Sequence, residues 1–420
     1  MSAPSHRSGL TLALGTLLHA FTHAYQSLLI PLYILVTADL RLPGLRPVTL
    51  IVAAYNAVYF LLSYPAGILT DCCNRKALLG IGLLGNAAAI GLMGATHQYG
   101  ALLAMGIAAG LFGTLFHPAA NALMSAHYPR SPGMALGIMG IGSGIGFFVG
   151  SQYSGWRAET ARRGWLGMSN WQLPCAEMAL AGLIVGVAFL FLAREVEHGS
   201  SQRPRAAMGS RLRWRTLAIS GILGWRDFAG VATSSLVSIY LQQAHGYDAR
   251  QTGWILGAMG LISIAATPLA VWATSGRRRL SGLAAVVIGG GLTLIAVPHL
   301  GIAWLLTVLG IFQVFHLGSY AISEVSLVER VDGAVRGRVI GLYLTICGTM
   351  GSLAPWAVGW WADHAGAQVY RQSAYSAVFS IMGGMMIFAS LAVRLIARIG
   401  SAQELSTGEA MKIAESEPAV

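Results

Sequence analysis

His19, His23 and Gln26 stand four and three residues apart in the stretch HAFTHAYQSLLIPLY, residues 19–33. On a helix that spacing puts all three on one face. The face then carries two imidazoles able to change charge near neutral pH and an amide able to donate or accept. Further on, GILGWRDFAG (221–230) sets Arg226 beside Asp227. A guanidinium keeps its charge and can hold a carboxylate or phosphate through two parallel hydrogen bonds. Neighbouring positions point in different directions around a helix, so these two need not pair, and Asp227 is free to reach a histidine on another element. Gln313, His316, Tyr320 and Glu324 follow at spacings of three, four and four, and His117 and Asn121 are four apart, so each set forms a stripe. Such groups suit reversible capture of a polar or anionic solute and the movement of protons. No nucleophile elbow, phosphate loop or zinc-protease motif accompanies them, so neither an enzyme nor a cofactor is expected.

The elements that position these residues are apolar throughout. Of 420 residues 55% are hydrophobic and 10% charged, with a mean hydropathy of +0.62. Soluble domains carry about 25% charged residues, which makes this a polytopic membrane protein. Twelve segments are long enough to cross about 30 Å of hydrocarbon. They cover residues 9–36, 47–70, 77–96, 99–126, 133–156, 172–194, 215–243, 250–273, 280–298, 301–327, 336–361 and 373–397. An ionisable group at such depth costs several kcal/mol unless it is paired or faces a cavity, so His19, His23, His117, Arg226, Asp227, His316 and Glu324 are functional candidates. The Gly-rich run GIMGIGSGIGFFVG (137–150) reads as a close-packing helix face rather than a nucleotide loop.

Nineteen of the 27 Lys and Arg residues fall on the side of the two termini, seven on the other side, and Arg226 within a span. That bias predicts cytoplasmic termini. It also accounts for the net charge of +11 without nucleic acid. The first apolar run is too long for a cleaved signal and is expected to be retained. The four cysteines show no disulfide or zinc spacing and read as structural. Arg194–Arg215 is the longest interior polar stretch. It divides the chain into an N-terminal six-helix bundle (1–195), a cytoplasmic linker (196–214), a C-terminal six-helix bundle (215–400) and a disordered tail (401–420). The halves repeat: QSLLIPLY (26–33) aligns with TSSLVSIY (233–240) and PGMALG (132–137) with RGRVIG (336–341), at offsets of 207 and 204. A duplicated six-helix unit is the build of a two-bundle secondary transporter.

Between the second and third segments the chain reads GILTDCCNRKALLG, with Gly67, Asp71, Arg75 and Lys76 able to form a charge relay at the cytoplasmic surface. The pattern resembles the major facilitator superfamily signature, with Cys72 in place of a base and Asn74 in place of a glycine. The second copy, PLAVWATSGRRR (268–279), keeps the bases and lacks the acid. HAFTHAYQSLLIPLY and GLFGTLFHPAANALMSAHYP (110–129) resemble the fosmidomycin-resistance group of exporters within that superfamily, matching at His19, Tyr25, Gln26, Phe116, His117 and Pro118. His23 takes the place of that group's acid, and Gly150 is followed by Ser151 where drug/proton antiporters commonly have proline.

The resemblance implies an all-α major facilitator fold of twelve transmembrane helices in two pseudo-symmetric bundles, with the first, fourth, seventh and tenth segments lining a central cavity. The expected function is proton-coupled transport, in the export direction, of a small organic solute, anionic or drug-like, by a monomer in the lipid of a bacterial inner membrane. Solute would meet His19, Gln26, His117, Asn121, Arg226, Gln313, His316 and Tyr320, while His23, Asp227 and Glu324 would carry protons. Two other readings stand beside this one. His19, His23, His117, His316 and Asp227 could gather a divalent metal as cargo, against which residue counting puts His117 about 10 Å nearer the cytoplasm than its partners. A non-transporting sensor or assembly factor could also reuse the fold.

Overall fold

Prolines decide where the long apolar segments bend, because each lacks an N–H and its ring meets the carbonyl four residues back. The computed structural model describes residues 6–160, 167–196, 208–332 and 335–399. The expected tail at 401–420 and most of the expected linker lie outside the described residues. The first span is α1 (His6–Ser27), a tight turn at Ile30–Leu32 around Pro31, and α2 (Tyr33–Asp39). The second is α3 (Arg46–Leu61) and α4 (Ser63–Cys72), bent by 44° where Pro65 meets the carbonyl of Leu61. α5 (Arg75–Met93) forms the third. Its N-cap is Asn74, whose side chain accepts from the Ala77 N–H at 2.7 Å, so this departure from the family signature has a local structural role. The fourth is α6 (Tyr99–Gly113) and α7 (Phe116–His127), broken at Thr114–Leu115 ahead of Pro118. α8 (Pro132–Thr160) and α9 (Gln172–Leu192) complete the first bundle. α8 runs unbroken through Ser151, where proline would have bent it.

The second bundle opens with α10 (Ser210–Ile239), which starts inside the stretch expected as linker and ends in a wider turn at Tyr240–Ala244. Then come α11 (Ala249–Ala273), α12 (Arg279–Ala296), α13 (Ile302–Arg330), α14 (Arg336–Ser352), α15 (Ala354–Ala365, restarted before Pro355) and α16 (Tyr375–Ala389), with helix continuing over 392–399. Among the described residues ten spans are long and apolar enough to cross a membrane alone, and α3 with α4 makes an eleventh. α10 is the twelfth. Its Arg226, Asp227, serines and threonines lower its hydropathy, and it tolerates them because α14, α15 and α16 pack around it. The outer surface instead shows Leu92, Ile184, Phe191, Trp272 and Ile381, as a lipid-facing surface should.

The bundles meet along α3 with α14 and α15, and along α8 with α11. In the half away from the termini hydrogen bonds between described residues join them. Tyr33 Oη and Ser235 Oγ are 3.1 Å apart, Ser238 Oγ donates to the Ile30 carbonyl at 2.7 Å, and Gln242 Nε2 donates to the Pro31 carbonyl at 3.1 Å. The Ala249 N–H donates to Glu159 Oε1 at 3.2 Å. The Leu45 and Arg46 N–H groups donate to the two oxygens of Asp363 at 2.6 and 3.1 Å. Asp363 thus caps α3 from the opposite bundle, a favourable place for a carboxylate at a helix N-terminus. Replacing Asp363 with Ala is expected to weaken closure of this face by about 1–2 kcal/mol, some tenfold in population. Labelling of a cysteine placed on this face should rise accordingly, with little change in melting temperature.

Candidate functional site

The break between α6 and α7 turns Phe116 and His117 toward α1. Thr114 Oγ1 holds the break by donating to the Tyr59 carbonyl at 2.7 Å. On the other side of α1, α8 comes close because Gly142, Gly146 and Gly150 lie against Thr16, Ala20 and Ala24. That approach carries the Met139 carbonyl to 2.8 Å from His19 Nδ1. His19 stacks on Phe116 with ring centres 4.8 Å apart. Its Nε2 lies 3.0 Å from Nε2 of His23, whose Nδ1 lies 2.6 Å from Gln26 Oε1. The His117 ring is 5.2 Å from that of His19 and 5.7 Å from that of His23, and Phe147 of α8 covers His23 at 4.6 Å. One donor atom from each of the three histidines lies within 4.8 Å of the others. The 10 Å offset expected from residue counting is therefore wrong, because counting assumes straight helices of equal depth and the fourth span is broken. His316 and Asp227 are not part of the group. Tyr25, within the same stretch, points away and donates to the Met178 carbonyl of α9 at 3.0 Å.

In the second bundle Arg226 and Asp227 pair with each other, which adjacent helical positions permit without requiring: the long side chain folds back, with Nε and Nη2 at 2.7 and 2.6 Å from Asp227 Oδ1. Nη1 donates to the Ser319 carbonyl and Ser323 Oγ at 3.1 and 2.9 Å, and Nη2 to Tyr343 Oη at 2.9 Å. The Tyr320 ring lies 4.1 Å from the guanidinium carbon, close enough for a cation–π contact. All three nitrogens of Arg226 are thus engaged within the protein by hydrogen bonds, with the ion pair to Asp227 beside them, and the residue is wholly buried. His316 is buried beside this network with neither ring nitrogen in a hydrogen bond. It stacks on Phe312, and its ring fills the space a Cβ on Gly230 would take. Gln313 reaches the Met259 carbonyl at 3.4 Å, Glu324 is half-buried one turn beyond Tyr320, and Asn121 is exposed one turn beyond His117. Ser319, Ser323, Tyr343 and Met139 went unrecognised in the sequence, where a serine, a tyrosine or a backbone carbonyl in an apolar run gives no signal.

A family model described as the Major Facilitator Superfamily matches residues 12–236 and 227–416. The chain belongs to the major facilitator superfamily. Solved structures agree in fold. A bacterial homologue of the human lysosomal transporter Spinster, inward-facing and unoccupied, gives a TM-score of 0.74 at 14% identity over 95% of this chain and 98% of that one. The same kind of homologue, inward-facing and occupied, gives 0.70 at 15% over 96% and 98%. A peptide transporter, POT, in complex with alafosfalin gives 0.71 at 15% over 96% of both chains. No curated protein gives a significant match.

The loop that resembles the superfamily signature lies at the face bearing the termini. Arg75 Nη1 donates to the Ala122 carbonyl of α7 at 3.3 Å, and the Lys76 N–H donates to Glu195 Oε2, just past α9, at 2.6 Å. Asp71 is exposed and Gly67 half-buried on α4. In the second copy, Arg279 finds its acid on another helix, pairing with Glu329 of α13 at 2.9 Å.

Proposed function

We propose that this superfamily member is a proton-coupled secondary transporter that moves a small polar or anionic organic solute across a bacterial inner membrane by alternating access, with both termini cytoplasmic. The observation that carries the reading is the convergence of His19, His23, His117 and Gln26 on a half-buried patch of the first bundle, next to a seam held closed on the face away from the termini. The resemblance to the fosmidomycin-resistance exporters favours export. His19, His117, Gln26 and Asn121 meet the solute. From the other bundle, Gln313, His316 and Tyr320 are offered, with Glu324 as a relay toward the cytoplasm. Arg226 joins the solute site in a conformation that releases it from Asp227, and the freed Asp227 is the second proton carrier. Gly67, Asp71, Arg75 and Lys76 bias the two access states.

His23 carries the coupling proton. It stands where the family group has an acid, and a lone pair on it is already within hydrogen-bond distance of His19. In proteoliposomes, His23→Ala is expected to reduce solute-driven pH change at least tenfold while solute still binds. The double variant Arg226→Met with Asp227→Asn, which leaves no buried charge unpaired, is the companion measurement. Unchanged proton movement with intact transport in both variants overturns the coupling assignment.

A further inference from the structure

We propose that His19, His23 and His117 form a binding site for a divalent first-row transition metal ion of the zinc, nickel or cobalt type. The case rests on where the ring protons sit. A backbone carbonyl only accepts, so His19 Nδ1, 2.8 Å from the Met139 oxygen, bears the hydrogen. Gln26 Oε1, 2.6 Å from His23 Nδ1, fixes the hydrogen of the second ring in the same way. Both neutral rings then turn bare Nε2 lone pairs toward each other at 3.0 Å, a repulsive arrangement that a cation at their junction relieves, whether the coupling proton or, in its place, a metal ion. Metal-binding imidazoles are held in this manner: the remote nitrogen donates to a carbonyl, which sets the tautomer and the ring plane.

The dimensions fit. Nitrogens at 2.0–2.1 Å from a tetrahedral ion stand about 3.4 Å apart. The His19–His23 pair is at 3.0 Å, and no donor atom of the three is more than 4.8 Å from another, so the widest pair must close by about 1.4 Å, within reach of imidazole rotation. Imidazole is a suitable ligand for this class of ion, whereas magnesium and calcium need oxygen. Phe116 and Phe147 lie against His19 and His23 and limit competing water, and His23 and His117 remain half-buried rather than sealed. Three protein ligands leave at least one coordination position open, which an oxygen or nitrogen of a solute can fill. With the Gln26 amide turned over, Gln26 would donate to His23 and His23 to His19. Every lone pair is then matched, and no ion is required.

Titration of the full-length protein in detergent with Ni2+, Zn2+ or Co2+, followed by calorimetry and by the visible absorption of bound Co2+, separates the two. Saturable one-to-one binding with nitrogen-ligated Co2+ bands is expected. His19→Ala, His23→Ala and His117→Ala should each weaken it at least a hundredfold. Gln26→Met, which keeps volume and loses the carbonyl, should weaken it about ten- to a hundredfold. His364→Gln, on the exposed end of α15, should leave it unchanged. Should an alanine variant fail to fold, wild type against Gln26→Met decides. No saturable binding tighter than about 100 μM, or binding indifferent to Gln26 and the three histidines, overturns the site. These are equilibrium measurements without flux, so their failure leaves the transport reading standing, and loss of the transport reading leaves the metal equilibrium as measured.

Discussion

Asp227→Ala is expected to leave little folded protein, whereas Arg226→Met should be tolerated better. Both residues are buried, with Asp227 Oδ1 compensating the guanidinium through two contacts of 2.7 and 2.6 Å. Removing one partner of a buried pair costs about 3–5 kcal/mol, because a charge is left without compensation. Proteins of ordinary stability have only about 5–15 kcal/mol in total. The two deletions differ in what the survivor can do. A lone carboxylate can take up a proton and become neutral, while a lone guanidinium cannot lose one in a protein. Ser319, Ser323 and Tyr343 would go on offering Arg226 neutral acceptors, which orient the charge without cancelling it. The double variant Arg226→Met with Asp227→Leu removes both charges and should recover most of the loss, since well-packed apolar replacements of buried pairs are often neutral or better. Melting temperature and the monodisperse fraction after detergent extraction, taken as a double-mutant cycle, read the coupling directly. Equal damage from both single variants, or no recovery in the double, would show that the pair does not hold α10 to α13 and α14. A recovered double variant that binds solute but does not transport would separate the structural role of the pair from a functional one.

The spans were legible because lipid imposes a length and a composition that soluble folds do not. Even α10 was found as part of 215–243, although its hydropathy alone falls short of a membrane helix, because the polar residues are spread through an otherwise apolar run. Depth and direction were less legible. His19, His23 and Gln26 share a face as their spacing requires, but their meeting with His117 depends on the Thr114–Leu115 break, and Pro118 marked only that a bend was due. The Arg226–Asp227 pairing stayed open in the sequence because helical spacing rules describe where Cβ atoms point, and a five-donor side chain of that length can fold back across them. Glu195, which accepts from the Lys76 backbone N–H, and Glu329, which pairs with the Arg279 side chain, come from elsewhere in the chain, so the second copy of the loop motif read alone shows its bases without an acid. The glycine run 137–150 was legible as a packing face, but which of its glycines touch a neighbour was not.

That last distinction has a large consequence. A Cβ on Gly142, Gly146 or Gly150 would run into the carbonyl oxygens of Thr16, Ala20 or Ala24, whereas one on Gly137 or Gly140 would meet nothing within 4 Å. Both sides of the tight contact are backbone, so no side chain can rotate away, and relief requires α1 and α8 to separate. Gly146→Leu is expected to destabilise the first bundle by about 3 kcal/mol or more, at the upper end of overpacking costs. Gly140→Leu in the same run should be near neutral, since it adds apolar surface to open space. The effect should also reach the site. Prying α8 off α1 draws the Met139 carbonyl from His19 and releases the ring, so a milder variant that still folds, Gly142→Ala, should disturb solute or metal binding before it lowers stability much. Gly142 is the sharpest case, since its added Cβ would also stand 3.1 Å from Cβ of His19. Paired melting curves for Gly140→Leu and Gly146→Leu, with binding measured for Gly142→Ala, test this. Equal stability of the two leucine variants would mean that α1 and α8 do not meet backbone to backbone, and the histidine geometry that depends on their approach would fall with it.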